Sequence, residues 1–228
     1  MRIYFNPGER FLYSGEGYFY LQSIVSQLTG RVDAGLCEKF EAGLEVCATD
    51  IDAYLKANLF APLGMNSSGY VWETNWEKQA ARPHDSDGKP QTKARPSAAS
   101  AARYASSGGL NTTATDYGRF LVEVVAPKRS DAFRLNQASH AEMLRPQVKL
   151  DPETRIDDAT SWALGWAIRE RPEGNLIVHS GGQTGFKSLA VASVEKQSGF
   201  IVLTNGEDGW KVFHDAAFIA LTSRWLAT

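Results

Sequence analysis

The chain has 228 residues, of which 43% are apolar and 22% charged, and its 24 basic side chains nearly balance 26 acidic ones for a net charge of -2. That fits one globular domain, or one domain with a small lobe, and excludes wholesale disorder, collagen-like repeats and a disulfide-dense miniprotein. The charge balance lacks the basic excess of a nucleic-acid binder. No apolar run reaches the ~18 residues needed to span a bilayer, and the opening MRIYFNPGER has no apolar signal-peptide core.

In chain order, Asn6-Pro7-Gly8 is a turn signal. Residues 16–29 place Tyr18, Leu21, Ile24, Val25 and Leu28 at helical spacing, with Gly30 as the stop. Residues 31–49 mix glycine, charge and both cysteines and read as an insertion or loop. Cys37 and Cys47, ten positions apart, are either two independent small apolar residues or a local staple, which implies an oxidising compartment. Thr49 or Asp50 can cap a second helix that Pro62 and Gly64 end. Residues 66–107 are poor in periodicity, and 84–103 read as a long exposed loop. Thr113 or Thr115 begins a helix with Tyr117, Phe120, Leu121 and Val124 on one face, and Ser139 caps a short helix stopped at Pro146. The period then changes. SWALGWAIRE, NLIVHSGG, FKSLAVASVE and SGFIVLTNGE read as four strands of an antiparallel meander, and 210–226 as a helix covering it. The fold class is α+β, with a helical lobe over about 16–125 and sheet plus final helix over about 160–228.

Metal and nucleotide signatures fail. The four histidines are scattered, no HExxH or CxxC occurs, Gly15-Glu16-Gly17 lacks the third glycine of a dinucleotide loop, and there is no Walker loop or GxSxG elbow. No metal and no cofactor is expected.

Six segments, in order, carry a resemblance. They are PGERFLYSGEGYFYLQSIVSQLTG (7–30), LFAPLGMNSSGY (59–70), ASSGGLNTTATDYGRFL (105–121), SWALGW (161–166), HSGGQTGFKSLAVAS (179–193) and FIVLTNGEDG (200–209). Together they resemble the β-lactamase-related serine hydrolases: class C β-lactamases, D-amino-acid peptidases and esterases of that fold. The resemblance spans most of the chain and implies a β-lactamase/transpeptidase-like architecture. It makes Tyr13, in the place of the family's Tyr-x-Asn, a general base or proton relay. Gly15 stands where that motif has Asn, whose amide would touch a substrate carbonyl, so the departure weighs against β-lactam handling. His179-Ser180-Gly181 resembles the family's third motif in its His form. His179 would support charge near Tyr13, Ser180 would bind substrate, and the Gly182 N–H would be one of two oxyanion donors. Gly108-Gly109 marks a tight backbone passage.

The family's nucleophile is the Ser of Ser-x-x-Lys on a helix upstream of the Tyr motif, and only twelve residues precede Tyr13. Ser86-to-Lys89 and Ser193-to-Lys196 repeat the spacing, but in a polar loop and a turn. The chain therefore reads as the carboxy-terminal two-thirds of a serine hydrolase of an ester, amide or peptide, itself inactive or nearly so, with the nucleophile elsewhere. The alternative is a non-catalytic binding or assembly protein that keeps the pocket. An uncovered sheet edge and apolar surface are expected, and with them a homo-oligomer or an N-terminal partner segment. Location follows from whether a leader precedes the segment: periplasmic or secreted with one, cytoplasmic without.

Overall fold

The computed structural model describes residues 5–6, 8–30, 32–39, 45–49, 51–92, 95–96, 100–101, 105–128, 133–154 and 156–213. They belong to two compact units, one of residues 1–7, 12–80 and 94–116, the other of residues 8–11, 81–93 and 117–228.

In the first unit, helix α1 (Gly15–Leu28) starts where Ser14, with extended backbone, accepts the Gly17 N–H on its hydroxyl at 3.1 Å. It ends at Thr29, and Gly30 takes the positive φ of 66° that a side chain disfavours. The helix does not bury the face its apolar periodicity predicts. Gln22 and Ser26 are buried, while Leu21, Ile24 and Leu28 are exposed, Leu28 at 82%. The cause is polar. Gln22 Oε1 accepts the Ser106 N–H at 3.0 Å, and the Ser106 hydroxyl donates to the Tyr18 carbonyl at 3.0 Å, so this face packs on the short 3₁₀ turn Ala105–Ser107.

Residues 31–49, expected as a loop, instead contain an antiparallel hairpin of β1 (Val32–Lys39) and β2 (Glu45–Thr49), with Cys37 directly opposite Cys47. The glycines and charges of the segment masked the β-formers Val32, Val46 and Thr49. Helix α2 (Ile51–Leu55) runs on into a π-helical turn, Lys56–Phe60. Two buried carboxylates then give shape to the aperiodic stretch that follows. Asp52 accepts the N–H groups of Tyr70 (2.5 Å) and Val71 (3.2 Å) and pairs with Lys56 at 2.9 Å. Asp116 accepts the Ser67 N–H (2.7 Å) and the Ser68 hydroxyl (3.0 Å). Each backbone N–H taken from water thereby keeps an acceptor.

The second unit is built on an antiparallel sheet, six-stranded among the described residues. Helix α3 (Ala114–Val125) is capped by Thr113, whose hydroxyl accepts the Asp116 N–H at 3.1 Å, and its residues from Tyr117 onward belong to this unit. Helix α4 (Gln137–Leu144) is capped by Asn136, which accepts from Ser139, so the cap lies three residues before the one expected. The strands β3 (Val148–Lys149), β4 (Ser161–Trp162), β5 (Ala167–Arg169), β6 (Leu176–Gln183), β7 (Phe186–Ser193) and β8 (Ser198–Thr204) lie side by side in chain order.

Strand alternation sends side chains to opposite faces. Trp162, Ala167, Leu176, Val178, Leu189 and Val191 form one core, packed with Phe11, Ile156 and Phe213. Ala163, Ile168, Ile177, Ala190 and Ala192 form the other, packed with Leu121, Val124 and Val125 of α3 and with Met143 of α4. Both faces of the sheet are thus covered. Of the helix predicted over 210–226, the short α5 (Trp210–Phe213) is described, with Phe213 buried; the remainder lies outside the described residues.

The loop around residue 84 is anchored as well as exposed. His84 donates its N–H to the Asn205 carbonyl and accepts from the Glu207 N–H, both at 2.9 Å, and so lies parallel to the chain just past β8. Asp85 then organises a turn by accepting the N–H groups of Asp87 and Lys89.

Candidate active site

Tyr13 belongs to the first unit, one residue before the Ser14 cap, and is half exposed. The cap fixes the backbone on which the phenol is carried. Tyr18, one turn into α1, has its pKa raised by burial first and by the neighbouring Tyr13 second. An added Cβ at Gly15, where the resemblance has Asn, would lie 3.2 Å from the Ser107 hydroxyl. The chain thus sets a serine hydroxyl beside a glycine at the start of α1. Gly109 is held to Ala105, whose carbonyl accepts its N–H at 3.0 Å, and an added Cβ would meet the Ala105 backbone at 3.1 Å.

His179, Ser180, Gly181 and Gly182 belong to the second unit and form the outer half of β6. The His179 Nδ1 lies 2.7 Å from the Ser180 carbonyl oxygen. A carbonyl only accepts, so Nδ1 carries the proton, and in the neutral ring Nε2 is the basic nitrogen. The Trp162 ring meets the imidazole in a T-shaped contact, with centroids 5.8 Å apart, and Trp162 in turn packs on Phe11 at 4.8 Å. The Ser180 N–H donates to Asp157 Oδ2 at 2.9 Å. Residues two apart on a strand direct their N–H groups to the same side, so the Gly182 N–H points to the side on which Asp157 stands.

Both glycines lie close to neighbouring side chains. An added Cβ at Gly181 would lie 2.6 Å from the Ser188 hydroxyl, and one at Gly182 would lie 2.9 Å from the Trp210 ring. The β6–β7 turn, Thr184-Gly185, is pinned from beneath. Lys187, almost fully buried, donates to the Gln183 carbonyl at 3.0 Å and to Glu207 at 2.8 Å, and the other Glu207 oxygen accepts the Gly185 N–H at 2.5 Å. Lys187 first, and then the Gly185 N–H, hold the Glu207 carboxyl below its ordinary range. Sequence reasoning missed this brace. Its one signal is a lysine inside the strand-like run FKSLAVA.

Both chance Ser-x-x-Lys spacings are occupied by turns. Ser193 accepts the Lys196 N–H at 3.2 Å and is buried at the end of β7, and Ser86 sits within the Asp85 turn. Among the described residues no group of three or more His, Cys, Asp or Glu is placed to hold a metal ion, and no helix is long and apolar enough to cross a membrane.

The family profile described as Beta-lactamase matches residues 2–224. With the antiparallel sheet and its covering helices, this places the molecule among proteins of the β-lactamase/transpeptidase fold. The chain belongs to the Beta-lactamase family. It is 24% identical to penicillin-binding protein 4* of Bacillus subtilis (strain 168), over 90% of this chain and 42% of that protein. The octameric penicillin-binding protein homologue of Pyrococcus abyssi superposes with a TM-score of 0.66 at 23% identity, over 88% of this chain and 40% of that one. The D-amino acid amidase of Ochrobactrum anthropi SV3 superposes with a TM-score of 0.60 at 22% identity, over 87% and 50%. The chain therefore spans about half the length of these relatives.

Proposed function

We propose that the chain forms the Tyr- and His-bearing part of a serine hydrolase that cleaves a small ester, amide or peptide through an acyl-enzyme. In this reading a serine on a segment outside these 228 residues attacks the substrate carbonyl. Its Oγ–C bond forms, the bond to the leaving alcohol or amine breaks, and Tyr13 passes the serine proton to the leaving group, with His179 supporting the charge. Water then repeats the attack and releases the acid. The Gly182 N–H supplies one oxyanion donor, fixed in direction before charge develops, and Ser180 binds substrate. The observation that carries the reading is the His179–Gly182 strand. The Ser180 and Gly182 N–H groups are aimed to one side, and an added side chain at Gly181 or Gly182 would meet the Ser188 hydroxyl or the Trp210 ring.

The exposed stripe Leu21, Ile24 and Leu28 on α1 supports a further covering segment or partner in this reading, because three apolar side chains on one helix face are normally covered. The same stripe favours the second reading, a non-catalytic binding or assembly protein, as does the octameric assembly of the Pyrococcus homologue. A fluorophosphonate or penicillin probe followed by intact mass separates the two. The 228-residue chain alone should stay unlabelled, and a longer protein carrying Ser-x-x-Lys should take one adduct on that serine. An adduct on the chain alone would refute the placement of the nucleophile, and no adduct on the longer protein would favour the assembly reading.

The register that sets Cys37 opposite Cys47 supports the local-staple alternative for the two cysteines in an oxidising compartment. Directly opposed positions of an antiparallel pair have Cα atoms about 4.5–5.5 Å apart, inside the range a disulfide spans. In the chain-entropy picture a closed loop of this size stabilises by ~2–3 kcal/mol. Protein made under oxidising conditions is expected to resist alkylation at both cysteines until reduced; full alkylation without reduction would sink the bridge.

A further inference from the structure

Asp157 and Asp158 both have positive φ, 56° and 54°, in a region uncommon for residues with side chains. The Ala159 N–H donates to the Ile156 carbonyl at 3.0 Å. This closes a turn with two left-handed central residues, the arrangement that selects Asn, Asp and Gly. Such backbone persists where its surroundings over-determine it, and such places cluster at functional sites. Here the surroundings are specific. Arg169, at the end of β5, donates its Nε to the Asp157 carbonyl and brings its guanidinium to 3.9 Å from the Asp158 carboxylate. The turn so fixed presents Asp157 Oδ2 to the Ser180 N–H.

That N–H needs an acceptor from outside the ladder. Strand β5 pairs with β6 only as far as Ala167 opposite Val178, and Ser180 lies two residues beyond. On its other flank, Ser180 stands opposite Leu189 of β7. The Ser180 backbone is then held through both its polar groups. Its N–H is held by the Asp157 carboxylate, and the Ser180 carbonyl accepts from His179 Nδ1 at 2.7 Å. A shift of this residue's backbone would turn the imidazole and re-aim the Gly182 N–H two residues on.

We propose that Asp157 is a positioning residue, whose carboxylate takes the place of the strand partner that β5 does not supply and thereby fixes the orientation of His179 and the direction of the Gly182 N–H. Its importance for catalysis rests on the hydrolase reading of that strand; the tether itself does not.

Three variants test it in the chain as it stands. Asp157→Gly keeps the left-handed turn and removes the acceptor. Asp157→Asn keeps both the turn preference and an amide oxygen. Asp157→Ala removes the acceptor and strains the turn. Amide exchange and the ¹⁵N spectrum of the imidazole are read in each. With Asp157→Gly the Ser180 amide should exchange about tenfold faster or more, the effect of losing one hydrogen bond to a charged group. The His179 nitrogens should shift, and the amides of β7 should stay as protected as before. Asp157→Asn should restore both signals. Unchanged Ser180 exchange in the glycine variant, no rescue by asparagine, or an even rise across β6, β7 and β8 would overturn the proposal; the last would mark a merely structural role. Because neither readout uses turnover, a protein that proves non-hydrolytic but shows the selective Ser180 response would sink the hydrolase reading alone.

Discussion

Replacing Trp162 with alanine is expected to cost about 3–5 kcal/mol of unfolding free energy, the range for deleting a large buried aromatic. Trp162 is 6% exposed, sits in the core of one sheet face with Leu176 and Val178, and packs its ring against Phe11. Two costs add: the lost burial of the indole, and the cavity left at a strand that cannot move in to fill it, since β4 is paired on both sides. The exposed Leu164, two residues on, is the internal control; its change to alanine should stay within about 0.5 kcal/mol. Urea unfolding followed by far-ultraviolet circular dichroism measures both. A loss below about 1 kcal/mol for Trp162→Ala would mean the sheet's core is not the packed body described. The variant has a second consequence, because the indole is one wall of the His179 ring. Trp162→Phe should recover part of the stability and keep an aromatic wall beside the imidazole.

Three strands of the sheet, β6 to β8, were legible because they are β-branched or aromatic and joined by turn residues, so local chemistry and global packing agree; SWALGWAIRE, read as one strand, holds the two short strands β4 and β5 about Leu164-Gly165, and the two-residue β3 was missed. The helix 15–28 was legible as a helix but not in its buried face. Periodicity assigns the apolar stripe inward, yet Gln22 and Ser26 face the Ala105–Ser107 turn through hydrogen bonds made across more than eighty residues. No window of fifteen residues contains that information. The hairpin 32–49 was lost for the opposite reason, since its glycines and charges outvoted a modest β-propensity. Of the candidate site, the family motifs were visible as residues, whereas their supports were not. Asp157 looks like a surface turn in RIDDAT until Ser180 is seen to donate to it, and Lys187 looks like a solvent lysine until Glu207 and Gln183 enclose it. Supports of this kind depend on contacts distant in sequence, and only the fold brings them together.

On the proposed hydrolase reading, Tyr13→Phe in a longer protein carrying a Ser-x-x-Lys serine is expected to lower turnover by about 10²–10⁴, the usual range for removing one general acid–base group. Stability should move by no more than about 0.5 kcal/mol, because the side chain is half exposed and phenylalanine keeps the ring. His179→Ala should lower turnover over the same range while leaving the Gly182 direction intact, since Asp157 still holds the Ser180 N–H. The informative quantity is the double variant. Tyr13 and His179 lie 166 positions apart in different units, and the hydrolase reading places both on one proton path. Groups that act as a unit lose their joint effect once either is removed, so the pair should cost little more than the worse single change. Multiplying losses would mean that the two side chains act independently. A Tyr13→Phe protein with undiminished kcat and KM would reduce Tyr13 to an aromatic residue preceding a capped helix, and the proton relay would then have to be sought on another side chain.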